Sequence, residues 1–359
     1  KISGVWIMAY TTIDDGSEYF HTQLYTGDGS SSNAITNDAN AGDFKPDWLW
    51  IKCRSDSRDH QITDSTRGGN IGLRPNSTIG EFSGASTQFD SDGFTLLDGS
   101  NNFNGSSKTY VAWQWKANGG TTSSNSDGDV TSTVQANTTA GFSIVTWTST
   151  GGNESVGHGL GVTPNWFITK NRSAGANWKV YHQKDTSEPE TNNTSLNKTD
   201  QSQDDAAAWN DTAPTSTTFT VGTDAGSGGS NGNNMVAYCF AEVKGYSKFG
   251  SYTGNGSTDG AFVYTGFRPQ WILWKRIDSA ADWEILDDKI NPFNEMKSTL
   301  EANTSDAVGT ETNGVDMLSN GFKHRNSYNS NNASGGTYIY MAFAENPFVS
   351  SKGVPVTAR

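Results

Sequence analysis

Cysteine is almost absent: the 359 residues hold two, Cys53 and Cys239. Two thiols cannot build a disulfide framework or close a structural zinc site. Both lie inside strand-like runs of different repeats and read as small buried residues. Histidine is scarce as well. The five residues His21, His60, His158, His182 and His324 include none of the close pairs that metal sites use. Basic charge is in deficit, with 25 Lys and Arg against 38 Asp and Glu and a formal net charge of −13. This balance argues against nucleic acid, where Lys and Arg must neutralise phosphates, and against anionic membrane surfaces. It favours a soluble chain, at ease where salt screens its own repulsion. No apolar run approaches the length of a membrane span, so no membrane insertion is expected.

The apolar residues amount to only 33%, yet they include 12 Trp, 12 Tyr and 17 Phe. Each buried aromatic removes about 150–250 Å² from water, more than a disordered chain could hide. Gly, Ser, Thr, Asn and Asp fill most of the rest, as expected for short strands with polar faces joined by many turns.

The aromatics repeat. Phe44-Lys45-Pro46-Asp47-Trp48-Leu49-Trp50-Ile51-Lys52, Val162-Thr163-Pro164-Asn165-Trp166-Phe167-Ile168-Thr169-Lys170 and Phe267-Arg268-Pro269-Gln270-Trp271-Ile272-Leu273-Trp274-Lys275 share the pattern Pro-x-Trp-apolar-x-x-Lys. Four further landmarks keep the same order around each anchor. Upstream are Tyr25-Thr26, Trp147-Thr148 and Tyr252-Thr253. Downstream are His60, Trp178 and Trp283, then Phe94, Phe219 and Phe322, and finally an aromatic closing run: Tyr110–Trp115, Met235–Phe240 or Tyr338–Phe343. Proline lacks an N–H and suits a strand's first residue. In Thr109–Trp115 the alternation of Val111, Trp113 and Trp115 with Tyr110, Ala112 and Gln114 predicts one strongly apolar face. The chain is therefore read as all-β, with three tandem antiparallel β-sandwich or jelly-roll-like modules of roughly 100 residues and long polar loops.

The expected boundaries are a leader and docking arm over 1–24, modules at 25–117, 140–244 and 245–348, a flexible Gly/Ser/Thr/Asn linker at 118–139, and a polar tail at 349–359. The brief join Glu242-Val243-Lys244-Gly245-Tyr246 predicts tight contact between the second and third modules. Residues 201–209 are expected to form a short helix in a loop. Met8-Ala9-Tyr10 would be an ordinary start, so residues 1–7 are expected to be translated upstream sequence.

Candidate chemistry is sparse. Gly228-Gly229-Ser230-Asn231-Gly232 matches the G-x-S-x-G string, but a nucleophile elbow needs a strand before it and a helix after it. His158 lies between glycines and reads as a turn residue. Asp90-Ser91-Asp92-Gly93 and Asp127-Gly128-Asp129 offer hard oxygen ligands without completing a calcium loop, and read as turns. The sequons at Asn76, Asn104 and Asn303 follow from composition, and no glycosylation is inferred. No acid or histidine recurs in all three repeats: Asp64 and Asp287 match, but His182 takes their place in the second. No catalytic residue, cofactor or metal site is expected.

Tyr19-Phe20-His21-Thr22, the Phe44–Trp48 run, Thr138–Val145, Gly157–Gly161 and Tyr338–Phe348 resemble structural proteins of marine tailed bacteriophages, a group labelled tail-fibre-like or virion protein. The resemblance spans Met8 to Phe348 and implies a non-enzymatic virion component: a tail fibre, spike or capsid decoration. It would contact other virion proteins, through residues 8–24, and host surface glycans. A homo-oligomer is expected, with a trimer plausible, although three repeats per chain imitate that symmetry within a monomer. The competing expectations are a polysaccharide-cleaving tailspike, which needs an acidic cleft between modules, and a bacterial surface adhesin.

Overall fold

Unbroken runs of Trp, Ile, Leu and Phe favour a pleated, buried backbone, and each anchor run forms a strand. In the computed structural model, which describes residues 11–38, 44–347 and 349, the anchor strands are Trp48–Cys53, Trp166–Asn171 and Phe267–Arg276. Pro46 and Pro164 stand ahead of theirs. Pro269 lies inside the third, where the pairing register shifts on either side of it; an interrupted ladder tolerates a residue with no N–H.

Every anchor strand occupies the same place in an antiparallel sheet. An opening strand pairs with the closing strand, the closing strand with the anchor, and the anchor with a flanking strand. In the first module these are Phe20–Thr26, Thr109–Trp115, Trp48–Cys53 and Gln61–Asp64. In the second they are Phe142–Thr148, Asn234–Phe240, Trp166–Asn171 and Lys179–His182. In the third they are Ser247–Thr253, Thr337–Pro347, Phe267–Arg276 and Trp283–Asp287. Register repeats too: Trp48 stands opposite Trp115 and Asp64, Trp166 opposite Phe240 and His182, and Trp271 opposite Phe343 and Asp287.

Smaller strand pairs belong to a second layer: Asn33–Ile35 with Phe94–Leu96, Glu154–Gly157 with Thr218–Val221, and Phe262–Tyr264 with Gly321–His324. Each module has its own core, with Leu49, Ile51, Phe94 and Tyr110 in the first, Phe167, Tyr181, Phe219 and Met235 in the second, and Ile272, Trp274, Phe322 and Tyr338 in the third. The fold is all-β, and in the third module the strands continue into one eight-stranded sheet that curls back toward its own anchor strand.

The other face of each main sheet is also buried. Trp48, Trp50, Trp113, Trp115, Phe142, Trp166, Phe240, Trp271 and Phe343 form one core shared by all three modules. This corrects the expectation of a single apolar face. Tyr110 and Ala112 face the module's own core, while Val111, Trp113 and Trp115 face the shared one. A strand covered on both sides reads as a continuous apolar run, which is the pattern of Trp48–Cys53.

Two boundary expectations are also corrected. Residues 20–24 are not a free arm: Phe20–Thr26 is the opening strand, paired along its length with the closing strand. Phe20 stacks 5.1 Å from Phe343 of the third module, and Ile13 is buried in the shared core. The closing strand would otherwise expose an unpaired edge. The leader (residues 1–7), Met8 and residues 350–359 of the tail lie outside the described residues.

The expected linker is structured as well. It contains strands Ser123–Asn125 and Ser132–Asn137, and the latter pairs with Phe142–Thr148. Fully buried Gln135 donates to Ser65 Oγ and Thr66 Oγ1 of the first module at 3.0 and 2.8 Å. Asp47 Oδ2 accepts from Ala117 N and Gly119 N, both at 2.8 Å. In 201–209 only Ala206–Trp209 is helical, capped by Asp205, while Gln203–Asp204 forms an edge strand.

Trp48 meets Trp115 at 4.5 Å, Tyr238 at 4.7 Å and Phe142 at 5.8 Å between ring centroids. Trp48→Ala is expected to cost about 3–5 kcal/mol of unfolding free energy. The exposed Phe293→Ala should stay within about 0.5 kcal/mol of wild type. Denaturant titration followed by circular dichroism measures both.

Candidate functional site

The polar residues that recur with the aromatics meet at the seams between modules. Each anchor strand carries a lysine near its end, and each lysine is fully buried. Lys52 Nζ donates to Arg58 O of its own module at 2.6 Å and to Ser305 O of the third at 2.8 Å. Lys170 Nζ donates to Ala176 O at 2.5 Å and to Thr78 O of the first module at 2.9 Å. Lys275 Nζ donates to Ala281 O at 2.5 Å and to Thr199 O of the second at 2.9 Å. The links run first to third, second to first and third to second, so they close a cycle. Burial pulls each ammonium down to about 8.

The carbonyls that receive these lysines from a neighbouring module belong to three matching Asn-x-Ser/Thr strings, at 76–78, 197–199 and 303–305. Asn76 Oδ1 accepts from His60 N, Asn197 Oδ1 from Trp178 N and Asn303 Oδ1 from Trp283 N, at 3.2, 2.8 and 2.7 Å. Their amide nitrogens donate to Asp59, Asn177 and Asp282. Asn104 is also fully buried and bonded on both sides of its amide. The strings dismissed as composition are thus structural, and at Asn76, Asn104 and Asn303 the amide nitrogen that glycosylation would modify is already engaged.

A second cyclic contact lies beside the first. Trp178 Nε1 donates to Arg74 O and Trp283 Nε1 to Ser195 O, at 2.9 and 3.0 Å. The first module places His60 at that position, with Nε2 3.0 Å from Glu301 O. Trp50 Nε1 donates to His60 Nδ1 at 2.9 Å, which leaves Nε2 as the nitrogen that donates. Burial keeps His60 neutral by lowering its pKa well below the usual value.

The third contact explains why His182 breaks the Asp64/Asp287 match. Asp64 Oδ2 accepts from Tyr238 Oη of the second module at 2.8 Å. Asp287 Oδ2 accepts from Trp113 Nε1 and Thr22 Oγ1 of the first at 2.9 and 2.7 Å, and burial raises this carboxyl to about 6. Tyr238 and Trp113 share a register position, opposite Ile168 and Trp50, with Met341 opposite Leu273. Methionine has no hydrogen to donate. His182 therefore turns its Nε2 to the backbone oxygen of Tyr340 at 3.2 Å, while Nδ1 accepts from Lys184 N.

The remaining flagged residues are turn elements. Ser230 is exposed, and the strand Asn234–Phe240, not a helix, follows it. His158 accepts from Leu160 N at Nδ1 and faces Thr215 O with Nε2. Asp90 accepts from Thr95 and Gln88, and Asp129 from Ser155. Cys53 and Cys239 are buried free thiols. Among the described residues no group of three or more His, Cys, Asp or Glu is placed to hold a metal.

Open space lies at the seam of the second and third modules. A cleft of about 540 Å³ has Lys179, Asn193 and Thr194 at its floor and Gln201, Gln203 and Ala280 at its rim. Nothing in the sequence singled it out, because its residues are common types, all from 177–203 except Ala280.

The buried lysines make alkaline stability distinctive. Their folded values lie below the ordinary 10.4 or so, so between pH 8 and about 9 the unfolded chain holds more protons and stability rises with pH. Cys239 and buried tyrosines such as Tyr25, Tyr238, Tyr246 and Tyr252, kept protonated by burial, oppose this and overtake it as the pH nears the ordinary tyrosine value of about 10. Lys170→Met should flatten the rise by about a third of the lysine contribution, measured by denaturant titration at several pH values.

The family described as Domain of unknown function (DUF7483) matches residues 15–347. A comparison with curated proteins finds no match.

Proposed function

The chain belongs to the DUF7483 family, and we propose that it is a non-enzymatic structural component of a bacteriophage particle: a tail fibre, spike or capsid decoration that contacts other virion proteins outside the cell. One observation carries this reading. The polar side chains that recur in all three modules, Lys52, Lys170 and Lys275 above all, are spent on holding the modules in a closed cycle. What is repeated is therefore a shape, not a chemistry. One chain already supplies the threefold arrangement that separate subunits of a trimeric appendage would have to assemble. The acidic balance suits a particle surface in a salty medium.

A polysaccharide-cleaving tailspike is the weaker reading. Glycoside hydrolysis uses two carboxyls flanking the bond, whereas the cleft between the second and third modules is lined by one, Asp200, paired with Lys198 at 3.3 Å. With Phe20–Thr26 built into a sheet, contact with other virion proteins falls to the outer faces of the modules rather than to an arm at 8–24.

Mass spectrometry of density-gradient-purified particles from the phage that encodes the chain tests the proposal. Peptides at a stoichiometry comparable to other virion proteins are expected, with antibody labelling on the particle surface. Recovery only from the soluble lysate would overturn it.

A further inference from the structure

We infer that the cleft between the second and third modules is a binding site for a neutral saccharide chain. This goes beyond a structural role in the particle, and its failure would leave that role standing.

The chemistry of the lining selects the ligand class. Charge in the cleft is internally compensated. Lys179 Nζ bonds Asn193 Oδ1 at 3.0 Å and lies 3.3 and 3.5 Å from Asp224 and Asp205. Lys198 pairs with Asp200 at 3.3 Å. A phosphate or carboxylate ligand would have to displace one of these partners, and the acidic chain as a whole repels it. Apolar ligands fare no better: Ala280 is the one apolar residue of the lining, so nothing there stacks on a base or receives an acyl chain.

What the walls present is hydroxyl and carboxamide, from Ser195, Asn177, Gln201 and Gln203. Such groups both donate and accept, which matches a ligand whose surface is alcohols. At about 540 Å³ the cleft falls in the roughly 300–1,000 Å³ range of small-molecule sites. A second cleft of about 440 Å³ shares Ala280 and adds Thr199, Ala281, Asp282, Asn329 and Ser330, with Asp282 accepting from Asn303 Nδ2 at 2.6 Å. Two hollows joined at one exposed alanine fit a chain of sugar rings better than a single ring.

Calorimetric titration of the full chain with maltotetraose, cellotetraose and laminaritetraose, and with tetragalacturonic acid as the acidic comparator, tests the inference. Binding of at least one neutral tetrasaccharide is expected, in preference to the acidic one. Ala280→Trp, on the rim, should weaken it at least about tenfold, and the paired change Gln201→Ala with Gln203→Ala should weaken it measurably. Phe293→Ala, outside both clefts, should leave it unchanged. Circular dichroism confirms that each variant is folded. The inference is overturned if no neutral tetrasaccharide binds at millimolar concentration, if the acidic one is preferred, or if a folded Ala280→Trp variant binds as wild type does.

Discussion

The structure depends on three sheets burying their tryptophan-bearing faces against one another. Each main sheet is apolar on both sides, and the second layer of its own module covers only one of them. Phe20, Trp48, Trp166, Trp271 and Phe343 would be open to water in an isolated module, and they find cover only when all three meet. A module of about 100 residues buries a limited core by itself. Closure therefore supplies stability that no single module holds, and it draws in the opening strand and the segment between the first two modules, which loop-like composition had hidden.

Closing an apolar centre leaves polar groups at its edges, and a buried polar group is costly unless bonded. The seams meet this demand the same way three times. A lysine meets carbonyls from two modules, an asparagine holds the backbone of the strap that supplies one of them, and a ring N–H reaches the preceding module. Where the facing residue changes from Tyr238 or Trp113 to Met341, the acid changes to His182 and the acceptor becomes a main-chain oxygen. The exception follows the rule of satisfaction, not a catalytic demand.

Much of this was legible at the level of single strands. The anchor motif marks Trp48, Trp166 and Trp271, and the three occupy equivalent register positions. The motif's lysine was visible but unexplained, because one of its two carbonyl acceptors lies more than 70 residues away, in another module. Asn76 and Asn303 were visible as sequons, yet an asparagine in an Asn-rich chain carries no mark of the strand it caps. The cleft at Lys179 and Gln203 was not visible at all, since none of its residue types is unusual here.

By itself the order of residues determined the strand content, the threefold recurrence and the anchor tryptophans, because pleat periodicity and proline placement act over a few neighbouring residues. Only the tertiary structure decided which face of each sheet met its own module and which met the other two. It also decided that the segments at 20–26 and 132–137 are sheet and that polar groups of the second module meet Ala280 of the third at one cleft. Those outcomes depend on which surfaces are covered in three dimensions, and hydrophobic burial is non-directional, so composition cannot say what covers what.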